Sequence, residues 1–464
     1  MPSFPPSPAG HRPGRHRPRP LPWLAAFLLL PGCAQPGPEA GFQPVAEAVR
    51  QHLGQPAVWV RSEADRRAAD ERVRELLAQP LGADEAVQVA LLNHRGLQAA
   101  LAELGIAQAD VVQAGRPGNP GLRLSRTRRG GELESGLGIE LQLARLIALP
   151  TASAIERQRL ARAQREAVQQ VLALAHATRR AHVTAVAAAE SAVYLGQVRS
   201  LAQAGAALAD RMQAAGNWNR LSQAREQAYD GEAAVNLARA EQARQEALEQ
   251  LARLLGLPGG PASFTLPDHL PELPAALPAR ADLEAQALAQ RLDLQAARLD
   301  AEALAGQLGL SRRTRVINVL DLGATRVHSN QEPTERGYEI AFELPLFDWG
   351  QSRVARAEAL YMQAVERAAQ AAVDARSELR LAEAARRTRF EVARRYLDEV
   401  LPRRRLIAEE QQRRYNGMLA SVFELLADAR AQVDAVRDTL DATRDYWLAQ
   451  ADLDMALVGK AGTP

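Results

Sequence analysis

The feature that most constrains the fold of this sequence is a long stretch without proline. No proline lies between Pro150 and Pro258, and this segment is rich in alanine, leucine, glutamine and arginine. These residues favour helices, and a helix rises about 1.5 Å per residue. The 63 residues Thr151–Gln213 therefore predict one rod of about 95 Å. A second long helix is predicted over Gln351–Arg414, with a kink at Pro402.

The chain also repeats itself at a spacing of about 200 residues. Three landmarks recur in the same order: LQAA at 97–100 and 294–297, the alternating stretches GIELQLARL at 138–146 and YEIAFELPL at 338–346, and the glycines Gly216 and Gly417. Their offsets are 197, 200 and 201 residues. This period is too long for a solenoid, so it indicates a tandem duplication of one large unit.

Each unit is predicted to contain a helix, a pair of strands, a long helix, a break and a last helix. In the first unit the helix is Ala83–Ala114, the strands are Leu122–Thr127 and Leu137–Ala144, the long helix is Thr151–Gln213, the break is Gly216–Asn219 and the last helix is Leu221–Leu255. In the second unit the helix is Asp282–Arg312, the strands are Arg315–Val327 and Gly337–Leu346, the long helix is Gln351–Arg414, the break is Asn416–Gly417 and the last helix is Ser421–Val458. The fold class is thus mainly α with a small β part, in which the two shorter helices of a unit line its long one.

The ends of the chain suggest processing and attachment. Four arginines precede the apolar run Leu21–Leu30 and then LPGC, so residues 1–32 resemble a signal peptide and Cys33 a lipid-attachment site; the alternative is a plain secretory signal. A multiply acylated cysteine anchors a protein firmly. We divide the chain at 1–32 (signal), 33–82 (acylated N-terminal segment), 83–256 (first repeat), 257–281 (Pro/Gly-rich linker), 282–459 (second repeat) and 460–464 (tail).

Composition argues against several classes of function. The net charge is +2, which makes no case for nucleic-acid binding, and the single cysteine excludes an intrachain disulfide. His176 and His182 are six residues apart and do not share a helix face as metal ligands would, so we expect both on the surface. No motif supports catalysis, and we expect neither an enzyme nor a cofactor beyond a covalent lipid on Cys33.

The predicted strands alternate apolar and polar residues, which is typical either of a soluble sheet packed on one face or of a transmembrane β-barrel. Tyr338, Ile340 and Phe342 point one way, whereas Glu339 and Glu343 point the other, together with Glu140 of the first unit. Four strands are too few for a membrane barrel, which needs eight or more and no free edge. One chain must therefore supply a share, so that two copies give eight strands and three give twelve.

Several segments together resemble the TolC-like outer-membrane efflux proteins. They are the lipoprotein-like signal, the duplicated unit, NPGL before the first strand, LPLFDWGQSRVARAEA after the last, and RYNGMLASVFELLADA at the second break. The first unit differs, since it has LARLIALPTAS where the family usually has an aromatic residue and a glycine. The resemblance implies a homotrimer in which twelve strands form a barrel in the outer membrane and the helices continue as an α-barrel through the periplasm.

By this resemblance the chain is the passive exit duct of a tripartite efflux pump, with a periplasmic adaptor and an inner-membrane transporter as partners. The alternative is a periplasmic coiled-coil scaffold lipoprotein that does not span the membrane. Glu424 and Asp428 lie four residues apart on one helix face. In the resembled family acidic residues at this end of the pore form a constriction, and Gln223 occupies the corresponding place in the first unit.

Two further predictions concern the corner after the last strand and the helix breaks. Trp349 is expected at the membrane interface, with a packing role as the alternative. Gly216–Asn217 and Asn416–Gly417 are expected to reverse the chain through positive φ. The two turns would then form the docking ring for the adaptor, with Trp218 and Met418 as exposed apolar handles; the alternative is that Trp218 packs inward. The sequence does not identify the cargo.

Overall fold

The computed structural model describes residues 41–278, 282–316 and 319–460. Cys33, the predicted signal peptide, the last three residues of the linker and residues 461–464 lie outside these ranges. Among the described residues, no helix is both long and apolar enough to cross a membrane.

The helices and strands occur in the predicted order, with shifted boundaries. The helices are α1 Gln43–Leu53, α2 Glu63–Leu77, α3 Ala83–Asn93, α4 Arg95–Ala114, α5 Leu143–Ala214, α6 Arg220–Leu254, α7 Leu283–Gln290, α8 Leu292–Arg313, α9 Gln351–Arg395, α10 Leu401–Asn416 and α11 Val422–Val458. The strands are β1 Gly121–Arg129, β2 Glu132–Gln142, β3 Leu320–Ser329 and β4 Glu335–Phe342. They form one antiparallel sheet in the order β1-β2-β3-β4, so the hairpins of the two units pair directly.

The first helix of each unit, predicted as continuous, is broken at equivalent positions. His94 separates α3 from α4, and Arg291 separates α7 from α8, again 197 residues apart. Nδ1 of His94 accepts a hydrogen bond from the backbone N–H of Leu97 and so caps α4. Arg291 is only 1% exposed and forms ion pairs with Asp293 and Glu378. A polar side chain thus lies at the break in both units, half-buried in His94 and fully buried in Arg291.

The two long helices differ from their predicted bounds. α5 has 72 residues and begins at Leu143, so the predicted start at Thr151 is wrong and Pro150 lies inside the helix. Its neighbours are good helix formers, and the helix continues although proline cannot donate to the carbonyl of Leu146. In the second unit a π-helical turn, Tyr396–Val400, separates α9 from α10 just before Pro402. The predicted disturbance at Pro402 therefore takes the form of a π-bulge.

The segment 33–82 contains two helices that the sequence reading missed. Ser62 and Asp65 form a capping box at the start of α2, and Gly54 ends α1 in the left-handed conformation. Val45 and Val49 of α1 are fully buried with residues of α4 and the middle of α5. The linker also packs on the helices, since Phe264 is buried and Nε1 of Trp447 donates to the carbonyl of Pro271.

The expected surface positions of His176 and His182 are wrong. His182 is buried, and its Nε2 lies 2.7 Å from the carbonyl oxygen of Leu81, to which it donates as the neutral ring. Burial lowers the pKa of His182, so the neutral form is favoured. His176 is mostly covered and bonds to Asp452 of α11 at 2.9 Å. Both histidines hold the helical core together around the middle of α5.

Candidate functional site

The most unusual feature of the structure is that neither face of the sheet is covered by another part of the described chain. Cross-strand partners place Leu122 beside Ile139, Ile139 beside Ala324 and Leu322 beside Ile340. The alternating side chains therefore sort onto two faces. On one face the large apolar side chains stand in solvent; Leu124 is 73% exposed and Tyr338 is 83% exposed. We call this face of the sheet, with its apolar and arginine residues, the outer face.

The opposite face, which we call the inner face, is polar and rich in glycine. Glu140 and Glu339 lie on either side of Gly323, as the sequence predicted for their shared face. Thr325 in turn lies between Gly138 and Gly337. Two of these glycines, Gly138 and Gly323, line a shallow hollow whose rim includes Arg123 and Asp321. All five glycines of the strands belong to this face: Gly121, Gly136, Gly138, Gly323 and Gly337.

The apolar surface continues past the end of β4 to the corner before α9. Leu344, Leu346 and Phe347 are all exposed, and the Trp349 side chain is half exposed. Gly350 then turns the chain with φ +71°, and its N–H donates to Oδ1 of Asp348 at 2.8 Å. A Cβ on Gly350 would overlap the carbonyl oxygen of Arg315. The corner therefore requires glycine, while the membrane-interface role of Trp349 stays a prediction.

At the other ends of the long helices, two turns reverse the chain. In the first, Gly216 has φ +76°, and the N–H of Asn217 bonds to the carbonyl of Met212. In the second, the N–H of Leu419 bonds to the carbonyl of Arg414, an equivalent Schellman closure. Here the left-handed residue is Met418, with φ +59°, whereas Gly417 has φ −83°. The prediction that Gly417 supplies the positive φ is therefore wrong by one residue.

The two predicted apolar handles occupy different surroundings. Met418 is 94% exposed and Leu419 is also largely exposed. The Trp218 side chain is half-buried and stacks on Phe423, with ring centroids 5.1 Å apart. The tip of the first unit is thus packed against the start of α11 in the second. For Trp218 this geometry favours the inward-packing alternative, whereas Met418 at the second tip stands exposed.

The predicted constriction residues lie on the first turns of α11. Glu424 completes a capping box, because its carboxylate accepts from the N–H of Ser421 while the Ser421 hydroxyl accepts from the N–H of Glu424. Its side chain is nonetheless exposed, and Asp428 is half-buried one turn later. In the first unit Gln223 donates to Asp210 of α5. Glu424 therefore has a structural role at the helix start in addition to any role in a pore.

Sequence reasoning missed a connection between the units near these tips. Glu226 of α6 is buried, and both of its oxygens lie within 2.8 Å of Nη2 of Arg430 on α11. The Arg430 guanidinium also lies 4.1 Å from the ring centroid of Tyr229. A charge pair 204 residues apart leaves no periodic signal in one sequence. Among the described residues, no group of three or more His, Cys, Asp and Glu side chains is placed to hold a metal ion.

Known proteins match this chain in three-dimensional structure but not in sequence. No protein-family model and no curated protein matches the sequence. Among solved structures, the outer membrane protein VceC of Vibrio cholerae matches with a TM-score of 0.68 at 20% identity, covering 82% of this chain and 97% of VceC. The open state of the Neisseria gonorrhoeae MtrE outer membrane channel matches with a TM-score of 0.67 at 18% identity, covering 84% of this chain and 89% of MtrE. A membrane protein of Pseudomonas aeruginosa matches with a TM-score of 0.70 at 20% identity, covering 81% of this chain and 93% of that protein.

The chain has the fold of the outer-membrane channels. The resemblance that the sequence motifs indicated is thereby confirmed at the level of architecture. The match extends over most of this chain and over most of each of the three solved structures. In this TolC-like fold the two-faced sheet stands at one end of the long helices and the two turns at the other.

Proposed function

We propose that this protein is the outer-membrane exit duct of a tripartite efflux pump. The observation that carries the proposal is the outer face of the sheet, where leucine, isoleucine and aromatic side chains stand exposed with no part of the described chain over them. Large exposed apolar patches mark a surface that is covered in the working molecule. A hydrocarbon layer is the cover that suits a sheet whose other face is polar.

A closed barrel requires further copies of the chain. The sheet ends in two free edges, β1 and β4, and free edges are not tolerated in hydrocarbon. Joining β4 of one copy to β1 of the next in a homotrimer gives twelve strands and no edge. The inner face then lines an aqueous lumen, and the helices continue the conduit into the periplasm, with acylated Cys33 as an additional anchor. A scaffold lipoprotein outside the membrane is the weaker candidate, since it has no use for an exposed apolar sheet.

Substitutions on neighbouring residues of β4 test this proposal. Ile340→Lys places a charge in the apolar band, which costs about 2–4 kcal/mol at the centre of a bilayer and should prevent insertion. Glu339→Lys is the matched control, because the adjacent side chain belongs to the inner face. We expect heat-modifiable oligomers and single-channel conductance in planar bilayers from the wild type and the control, and neither from Ile340→Lys. A wild-type protein that stays monomeric and leaves membranes in high-salt washes would overturn the proposal.

The tips are the proposed contact with the pump partners. Three copies would bring six turns together at the periplasmic end, with Met418 and Leu419 as apolar contacts for the adaptor. Glu424 and Asp428 lie just above the second turn, and three copies would gather six carboxylates around the pore axis. Such a ring attracts cations and repels anions. The cargo would be set by the partner in the inner membrane.

A further inference from the structure

The charges of the sheet are segregated between its two faces. The strand register places Arg126, Arg128, Arg326, His328 and Arg336 on the outer face, where no acidic residue occurs in the four strands. The inner face carries six acidic residues, namely Glu132, Glu134, Glu140, Asp321, Glu335 and Glu339, with the arginines Arg123 and Arg129. An outer face made only for hydrocarbon would contain no arginine.

The basic residues of the outer face share one position along the strands. All five lie toward the hairpin turns, beyond the apolar band that begins at Leu124 on β1 and at Tyr338 on β4. From Tyr338 to Phe342 the strand rises about 13 Å at ~3.3 Å per residue, and the exposed apolar surface continues through Leu344 and Leu346 after the strand ends. If this apolar surface lies in hydrocarbon, the basic residues lie at its end toward the hairpin turns. The arginines therefore lie at the level where hydrocarbon meets headgroups.

These arginines lack acidic partners. Within the described residues none of Arg126, Arg128, Arg326 and Arg336 forms an ion pair, although the inner-face Arg123 reaches Glu140 at 3.4 Å. All four side chains are exposed. Arg326 and Arg336 are direct cross-strand partners, and like charges directly opposite each other destabilise a sheet. An anion held between two guanidinium groups would remove this repulsion.

We infer that this arginine row binds the phosphate-bearing headgroups of lipids in the leaflet nearest the hairpin turns. Guanidinium groups bind phosphate oxygens in a bidentate manner and keep their charge at any relevant pH. Clusters of basic side chains beside an apolar surface are the usual sites for anionic lipid headgroups. The inference rests on the proposed function, since it requires the outer face to lie against lipid.

The test measures lipids retained by the purified full-length oligomer. The protein is incubated in detergent with an equimolar mixture of phosphatidic acid and phosphatidylcholine, and bound lipid is counted by native mass spectrometry. We expect the wild type to retain phosphatidic acid in at least fivefold preference at 0.1 M salt and to lose most of this preference at 1 M, where charges are screened within about 3 Å. Equal retention of the two lipids by the wild type would refute the inference.

Paired variants locate the site. Arg326→Gln with Arg336→Gln should reduce the preference to below twofold, whereas the inner-face pair Arg123→Gln with Arg129→Gln should leave it unchanged. The pair Arg326→Lys with Arg336→Lys keeps the charge and should retain part of the preference. Equal preference in the outer-face and inner-face Gln pairs would place the site elsewhere. Conductance of the same wild-type preparation is read separately: a conducting channel without lipid preference contradicts only this inference, and a preparation without channels contradicts the proposed function.

Discussion

The two corners where a strand leads into a long helix occupy corresponding places in the two units, yet they are built differently. Leu143–Pro150 in the first unit corresponds to Glu343–Gly350 in the second at an offset of 200 residues. In the first, α5 begins directly after β2 and continues through Pro150. In the second, the chain bends for eight residues, from Glu343 to Gly350, before α9 begins. The same architecture is thus reached once by a continuous helix and once by a glycine-dependent bend.

The difference follows from local sequence. LARLIAL contains strong helix formers, and a single proline does not stop a helix whose other residues favour it. LPLFDWG places a proline early, adds two bulky aromatic residues and ends in a glycine at positive φ. The helix tips differ in the same way, with Gly216 in the left-handed position of one turn and Met418 in that of the other. The two units therefore share an order of elements but differ at the strand-to-helix corner and at the helix tip.

The largest expected effect is at the second corner. Gly350→Val combines a strained positive φ with overlap on the carbonyl of Arg315, at about 1–3 kcal/mol for each contribution, so we expect a loss of about 4 kcal/mol. Thermal unfolding followed by circular dichroism measures it. Gly309→Ala is the control, because a Cβ there meets nothing within 4 Å. A Gly350→Val protein as stable as Gly309→Ala would show that the bend does not need glycine.

A smaller loss is expected where the units are joined. Glu226→Ala leaves the Arg430 guanidinium without its carboxylate partner. We expect the free energy of unfolding to fall by about 2 kcal/mol. The loss is smaller than for a fully buried pair because the Arg430 side chain is one-third exposed. The double variant Glu226→Leu with Arg430→Leu should recover most of it, since no unpaired charge remains. Denaturation with urea measures both. If the double variant is as unstable as the sum of the single variants, the charge pair is not the cause.

At the tips the expected change is about 1 kcal/mol and of opposite sign in the two units. Met418→Gly relieves a left-handed conformation and should stabilise the fold, whereas Gly216→Met should destabilise it by a similar amount. Met418→Gly also removes the apolar handle, so adaptor crosslinking and efflux-dependent resistance should fall although the oligomer becomes more stable. Unchanged crosslinking in both Met418→Gly and Met418→Asp would exclude Met418 from the docking surface.

The smallest effect concerns ion preference. Glu424→Gln with Asp428→Asn should lower the cation preference of reconstituted channels, measured as the reversal potential in a salt gradient, because carboxylates favour cations near a constriction. Gln223→Glu adds a carboxylate at the corresponding place in the first unit and should raise the preference if that place also faces the pore. A reversal potential insensitive to all three substitutions would remove these side chains from the pore lining.

Much of the fold could be predicted because the strongest signals are periodic. Alternation on Tyr338, Ile340 and Phe342 fixed both the strand and its two faces, and the proline-free stretch indicated the first long helix. The start of α5 could not be predicted from Pro150, since the outcome depends on whether neighbouring residues outweigh a missing hydrogen bond. The break at Arg291 depends on partners from distant helices, Glu378 and the carbonyl of Ala456, whereas His94 caps α4 through the nearby N–H of Leu97. The pairing of Glu226 with Arg430 has no local signal of any kind.

The five glycines of the inner face have a consequence for how the sheet bends. When a sheet curls, side chains on the concave side crowd together and those on the convex side spread apart. Removing five side chains from one face only lowers the resistance to curling toward that face, and glycine in strands is typical of the tight bends of barrels. The outer face has no glycine and carries branched and aromatic groups that resist compression. The sequence of a single chain thus already determines which face of the sheet becomes concave and which becomes convex, before any second copy binds.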